Sequence, residues 1–509
     1  MVSRRVPLRQ SLFLFALLGV PYFATTIANS VRRHLWNDEL FTYYFSHLPG
    51  LVDVWRELKT GIEQTPPLFY VVTRTSLDVF GDDALAIRLP EVLGVFAACC
   101  CLYLLVARRT SVAGGAVAAL IVLATKALPY GYEARPYGLV LGLAAAALLC
   151  QQLRADTGSR AAALGVAVAL AAAVSTHYYA VLLVVPLAVA ELVRAFERRR
   201  LDHAIVAAFV VGIAPLAAFK PLIDGAHRYS GSFWTTFDWS SAWWFYSWLL
   251  RTPAVPPRIP SALLVGFTGA VVAASLALTA VPLVGGAMSR VRRSVDAPER
   301  AAAVALLLAP LLAVALAETV TGAYTERYTL FAVLGLAIVV PLGLDRLPGR
   351  LGLLTPLVAA ILAIFFVRAC VWNYRDVGGD LARQRETIAF LERSSPRLEI
   401  AVAHPHDFLE LSHYAPPDLR ARLRYLSSSA LALRYLGTDS TENGLIVMSR
   451  FAPLHVRPYR TFVASGRPFL VFVDPGAGPE RWLPRALAAD GKPLRLLARS
   501  DGRMLYLVR

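Results

Sequence analysis

Long apolar runs separated by short polar joints fill the chain up to about residue 371, and the pattern then changes. As a helix, a run of about 18 or more mostly apolar residues crosses a hydrocarbon core of about 30 Å. Such runs fall near 11–29, 85–107, 111–128, 136–153, 161–176, 177–196, 203–222, 260–287, 300–322, 327–345 and 350–371. They predict a mainly α, polytopic bundle of about eleven membrane spans over residues 1–371, with one long first loop over 30–84. The division inside 161–196 rests on one short polar turn. Composition agrees, since 57% apolar and 17% charged residues lie outside the range of soluble proteins.

Beyond residue 372 charges are spread throughout and the apolar runs shorten to LEIAVAH, NGLIVMS, RPFLVFVD and RMLYLVR. Short runs rich in β-branched and aromatic residues, bounded by Gly, Pro, Asp or Ser, predict strands. Helices are expected near 377–394, 406–413 and 478–489, so 372–509 should form a small α/β domain. No phosphate-binding loop, dinucleotide fingerprint or metal motif occurs in it, and a lid or scaffold is the plain reading.

Basic residues recur at every second joint: Arg4, Arg5 and Arg9, then Arg108 and Arg109, Arg154 and Arg160, Arg194 with Arg198 to Arg200, Arg290 with Arg292 and Arg293, and Arg346 with Arg350. Short cytoplasmic loops retain Lys and Arg, which places the N-terminus inside and the tail outside. These inner clusters show no matching acidic motif. The net charge of +16 is then topology and lipid-headgroup contact, with no nucleic-acid partner implied. The first span starts like a signal peptide, but its apolar stretch is long and Ile27-Ala28-Asn29-Ser30 is a poor cleavage site, so an uncleaved anchor is expected. The five cysteines lie within or at the ends of spans and imply neither disulfides nor a metal site. Arg- and Ala-rich composition suggests a GC-rich bacterial genome and hence an inner membrane.

The residues able to do chemistry gather on the outer side. Asp38 and Glu39 open the first loop, which continues through an amphipathic helix from Leu51 to Ile62, then Gln64-Thr65-Pro66-Pro67-Leu68-Phe69-Tyr70, then a second apolar helix. The amphipathic helices suit the membrane interface and would hold Asp38 against the bundle. Glu133, Arg135 and Tyr137 sit in one outer turn, where Pro136 suits a helix start. Ionisable groups beside the bilayer core mark a pathway or a site. An ion pair of Glu133 with Arg135 or Lys126 is the structural alternative. His177 sits in another tight turn and reads as a ligand contact or as a packed, hydrogen-bonded ring. Arg327, with Tyr328, has the forked donors that suit a phosphate, against the alternative of headgroup contact. The loop 223–259 is dense in aromatics, Trp234 and Trp239 among them, and is either an interfacial belt or a flexible cover over a lipid or sugar.

In order along residues 10–345, the Asp-Glu pair, PPLFY, Ala86-Ile87-Arg88-Leu89-Pro90, EARPYGL, THYY and ERY resemble the bacterial relatives of protein O-mannosyltransferases and of the lipid A aminoarabinose transferase, within the GT-C superfamily of integral-membrane glycosyltransferases. The resemblance implies an inverting transfer of a sugar from a polyprenyl-phosphate carrier to an extracytoplasmic glycan, lipid or protein. It makes Asp38 the general base, with Glu39 orienting or replacing it. The phosphate donors become Arg327 first, then Arg135, His177 and Lys126. Many relatives carry His directly before Pro-Pro-Leu, whereas this chain has Gln64-Thr65, which puts in doubt any metal or acceptor contact there. The superfamily includes members with and without a bound metal, so no cofactor is assigned and a divalent metal stays open. A flippase of lipid-linked sugars should show inverted repeats or broken polar helices, which the clean Ala-Leu-Val spans lack. A non-catalytic partner subunit is the other alternative, and retention of Asp38, Arg135 and Arg327 argues against it.

Overall fold

The computed structural model of the chain describes residues 7–229, 232–252, 258–280, 286–347, 349–477 and 481–509. The expected basic residues Arg4 and Arg5, and parts of the expected span 260–287, the aromatic loop 223–259 and the helix 478–489, lie outside the described residues. The chain divides into two compact units, one of residues 1–31, 65–220 and 237–376, the other of 32–64, 221–236 and 377–509.

The first unit is all helical. Among the described residues six helices are long and apolar enough to cross a membrane: Leu8–Arg32, Leu89–Ala107, Tyr137–Thr157, Tyr178–Arg198, Glu326–Leu344 and Gly349–Glu392. The count rises to eight if each of two bent pairs, His203–Ala218 with Lys220–His227 and Asp296–Leu307 with Ala309–Thr321, is one span; Val112–Leu123, Arg160–Thr176 and Ser261–Ala277 are shorter apolar helices. Phe13, Val20, Phe196, Phe267 and Ile364 face outward uncovered, which in water would be an aggregation hazard and in lipid is a solvent match. The expected helices 350–371 and 377–394 are one helix, Leu354–Glu392. Its one proline, Pro356, lies in the first turn, and the glycine pair Gly378-Gly379 does not by itself break a helix.

Small residues let two of these helices approach closely. A Cβ on Gly142 would lie 2.4 Å from the carbonyl oxygen of Gly94, and one on Gly94 would lie 2.6 Å from that of Gly138. Gly138 and Gly142 stand one turn apart, the spacing that brings membrane helices together by backbone packing. At the far ends of the spans the basic clusters do have acidic partners, contrary to the sequence reading. Arg109 meets Asp156 at 2.9 Å and Glu299 at 3.0 Å, Arg154 meets Asp202 at 2.8 Å, and Arg346 meets Asp296 at 2.5 Å. These acids are spread over three joints, Asp296 and Glu299 sharing one, away from the basic clusters they meet, so no local motif announces them.

The second unit is built on a six-stranded sheet in the order β3-β2-β1-β4-β6-β5, with β1 Ile400–Val402, β2 Leu423–Ser427, β3 Val456–Pro458, β4 Phe469–Val473, β5 Arg495–Ser500 and β6 Arg503–Val508. β1 to β4 pair in parallel, and β6 joins β4 antiparallel and carries β5 at the edge. Both β1 and β4 are buried throughout, as parallel strands covered on two faces require. β5 and β6 are joined by Asp501 at φ 46° and Gly502 at φ 83°, the left-handed pair of a two-residue hairpin. The run NGLIVMS, expected as a strand, belongs instead to the helix Ser440–Met448. Within its first turn Asn443 Nδ2 donates to Asp439 Oδ2 at 2.9 Å, and the buried Glu442 accepts from Tyr425 Oη at 2.6 Å.

Segment 32–64 packs on this α/β layer. The Tyr414 hydroxyl accepts from the Leu35 amide at 2.6 Å, and Phe45, fully buried, meets Phe451 edge-on at 5.4 Å. Burial of one such ring contributes about 1.5–3 kcal/mol. Segment 221–236 is tied to 32–64 where Gly61, at φ 81°, allows an approach to the Gly225 carbonyl that any Cβ would block.

Gly142→Val should lower the Tm of the detergent-purified protein by an amount equivalent to about 1–3 kcal/mol, because the new side chain overpacks the Gly94 backbone. The same change at Gly266, where a Cβ meets nothing within 4 Å, should not. Equal Tm values for both variants would remove the close contact from its role.

Candidate functional site

Three turns of the first unit converge. In the first, the short helical turn Pro129–Tyr132 runs into extended Glu133, and Pro136 then opens the helix Tyr137–Thr157. The start of that helix is held by Glu91, a fully buried residue of the neighbouring Leu89–Ala107 helix, whose carboxyl group accepts the Leu139 amide at 2.6 Å and the Gly138 amide beside it. Helix N-termini carry unsatisfied N–H groups and a positive dipole end, so an acid there is favoured. Sequence reasoning missed Glu91, although a lone acid inside an apolar span is itself a signal.

In the second turn the helix Arg160–Thr176 ends at His177, whose extended backbone leads into Tyr178–Leu183. The third follows a π-helical turn at Ala317–Thr321 and the positive φ of Gly322, and it carries Arg327 and Tyr328. Tyr179 joins the second to the third, with its hydroxyl donating to the Ala323 carbonyl and lying 2.6 Å from Thr321 Oγ1.

The side chains meet as a ring cluster faced by guanidinium groups. His177 lies 5.4 Å from Tyr137 and 4.9 Å from Tyr328, centroid to centroid, and Tyr328 stacks on Tyr137 at 6.4 Å. The Arg327 guanidinium lies over the Tyr137 ring at 5.7 Å, a cation–π geometry. Both Arg135 and Arg327 are close enough to act on the charge of His177 and of Tyr328. Two forked cations, an imidazole and a phenol in a largely buried setting can hold an anionic oxygen group. Glu133 is buried at the edge of this cluster, within electrostatic reach of Glu91. Lys126 stands apart, since the charges acting on it are Arg251 and Asp376. Trp239 is 54% exposed and joins no part of the cluster.

Asp38, Glu39, Gln64 and Trp234 belong to the second unit. Glu39 is fully buried and accepts the Trp36 amide at 3.3 Å, so it caps the helix Asn37–Ser46 from within. Asp38, one residue earlier, receives Asn37 Nδ2 at 3.3 Å. Glu410, on the helix Pro405–Tyr414, takes the Asn37 amide from outside, a second feature that sequence reasoning missed. Burial pushes the Glu410 carboxyl up to about 7 despite Arg33, and burial with Asp474 and Glu410 pushes Asp407 up to about 8. His404 caps the Pro405–Tyr414 helix through its Nδ1, which accepts the His406 amide at 3.3 Å, and burial holds its pKa down to about 3. Gln64 is half-buried and Trp234 is 43% exposed. Among the described residues no three His, Cys, Asp or Glu side chains are grouped to hold a metal ion, and no step below uses one.

Residues 64–223 match the family model described as dolichyl-phosphate-mannose-protein mannosyltransferase. Across 97% of both chains the fold is similar to that of ArnT from Cupriavidus metallidurans, at TM-score 0.59 and 14% identity for the apo state. For the same protein bound to undecaprenyl phosphate the values are 0.57 and 15%, again over 97% of both chains. No curated protein matches the chain in sequence.

The raised carboxyls set a pH dependence for the second unit. Asp407 and Glu410 keep their protons when folded but ionise near pH 4 when unfolded, so the stability they confer is full below about pH 4 and is lost as pH rises through about 7 and 8. Thermal unfolding of the purified protein should therefore show a falling Tm over this window, and Asp407→Asn should flatten the fall. A pH profile identical in the variant would refute the assignment.

Proposed function

We propose that this chain, of the GT-C superfamily of integral-membrane glycosyltransferases in fold and, over residues 64–223, in sequence, transfers a sugar from a polyprenyl-phosphate carrier to an acceptor on the outer face of a bacterial inner membrane. The observation that carries this reading is the convergence of Arg327, Arg135, His177, Tyr137 and Tyr328 from three separate turns. Such a donor cluster suits the phosphate of a lipid carrier, and the relative crystallised with undecaprenyl phosphate supports that class of ligand.

In the proposed reaction Asp38 removes the proton of an acceptor hydroxyl, and the oxygen attacks the anomeric carbon on the face opposite the phosphate. The bond from that carbon to the phosphate oxygen breaks, its electron pair leaves with the lipid phosphate, and the configuration inverts. One base suffices, because the departing phosphate needs charge stabilisation rather than a proton. Arg327 and Arg135 supply that stabilisation, with His177 and the Tyr328 hydroxyl as further donors. Glu39 is engaged as a helix cap, which supports Asp38 as the base and Glu39 as the residue that orients it. Glu133 helps fix the turn that presents Arg135. In this scheme the second unit and the turns carrying the cluster face outward.

Asp38→Asn should reduce transfer from radiolabelled polyprenyl-phosphate sugars to envelope extract by about 10²- to 10⁴-fold with the fold intact, the range of a lost general base. Near-normal turnover would remove Asp38 from its role. Arg327→Ala should lower kcat by about 10²- to 10³-fold, with partial recovery in Arg327→Lys, which keeps the charge without the fork. Full activity of Arg327→Lys would show that charge alone is required.

A further inference from the structure

The second unit contains a cavity of about 470 Å³, within the usual size of a small-molecule site. Its place follows from the sheet. The chain leaves β1 toward β2 and returns through β3 to β4 on the other side of β1, so the strand order reverses between β1 and β4. Open parallel sheets bind ligands at such a switch point, outside the carboxyl ends of the strands. Asp407 follows β1, Asp474 follows β4 directly, and both line the cavity.

The lining also shows unmet hydrogen-bonding capacity. Among the described residues both amide atoms of Gln384, which are shielded from solvent, have no hydrogen-bond partner, and neither has Asp407 Oδ2. A buried amide or carboxyl left so is costly unless something else satisfies it. Asp407 carries its proton at neutral pH and can donate as well as accept. Five carboxyl groups and three guanidinium groups line the cavity, so that even with Asp407 protonated the acids are not outnumbered, and Arg503 is already engaged by Glu386 at 3.1 Å, which disfavours an anionic ligand. Trp36 adds an aromatic surface. Alternating donors and acceptors beside an aromatic ring suit the hydroxyls and the apolar face of a sugar.

From this we infer that the cavity binds a sugar residue of the acceptor glycan. The inference rests on the glycosyltransferase reading only for the word acceptor, and one contact links the two. Glu410 lines the cavity and also takes the amide hydrogen of Asn37, one residue before Asp38. An acceptor sugar held here occupies a wall continuous with the start of the helix that carries the proposed base.

The test is binding by the full chain in lipid nanodiscs, read by saturation-transfer NMR with neutral methyl glycosides of hexoses and pentoses, which needs no transfer and so is independent of the reaction. Wild type should saturate the ring protons of at least one glycoside. Gln384→Leu and Asp407→Asn should each weaken that binding tenfold or more. Gln384 makes no hydrogen bond through its amide among the described residues, so its variant should fold and would decide the matter if Asp407→Asn does not. No saturation with any glycoside, undiminished binding in Gln384→Leu, or inorganic phosphate competing for the same signal would overturn the assignment. Sugar binding lost in Gln384→Leu by a protein that transfers no sugar would keep the cavity and overturn the transferase reading instead.

Discussion

A buried carboxyl group among apolar helices is costly without hydrogen-bond donors, and Glu91 finds them for its Oε2 in the amide of Leu139 and, beside it, that of Gly138. The contact requires the two helices to lie nearly backbone to backbone, which Gly94, Gly138 and Gly142 allow. It also fixes where the Tyr137–Thr157 helix begins, and therefore where Tyr137 and the preceding Arg135 are presented. The cationic cluster depends on this pairing, since a shift of the helix start by one residue would rotate Tyr137 about 100° away from His177 and Tyr328.

The second unit uses the same device for a different residue. The helix Asn37–Ser46 has Glu39 folded back onto the Trp36 amide and Glu410 brought to the Asn37 amide from another helix. Two acids placed by the helix N-terminus leave Asp38 held between fixed neighbours. Long loops usually gain precision in this way, through caps and packing rather than through propensity. A base carried on a capped helix keeps its position when the rest of a loop moves.

The sequence showed the apolar periodicity, and with it the helical class and the three turns, because long runs and their polar joints are local features. It also showed which residues in those turns could do chemistry, and Arg327, Arg135, His177, Tyr137 and Tyr328 do meet. Glu91 and Glu410 act on amides far along the chain, and no spacing rule connects residue 91 with 139 or 410 with 37. Lys126 lies in the right turn yet faces Arg251 and Asp376, a choice made by the packing of later helices. NGLIVMS failed for another reason: a short apolar run fits strand and helix equally, and the buried Glu442 decided it. The turn signal Asp501-Gly502 of the β5–β6 hairpin went unread, because the mixed run RLLARS before it hid the edge strand.

The arginines show why composition alone could not separate structure from function. Positive charge follows span after span, and Arg109, Arg154 and Arg346 are taken up by Asp156, Glu299, Asp202 and Asp296. Buried pairs of this kind register helices against one another, and breaking one leaves an uncompensated buried charge on its partner. Arg135 and Arg327 have the same side chain in a different setting, among Tyr137, His177 and Tyr328. Aromatic walls hold a guanidinium in place through its flat faces while its edge keeps the geometry that an anionic oxygen requires. What marks these two arginines is therefore the company they keep, and that company is assembled only when three turns, spread over some two hundred residues of sequence, are brought together.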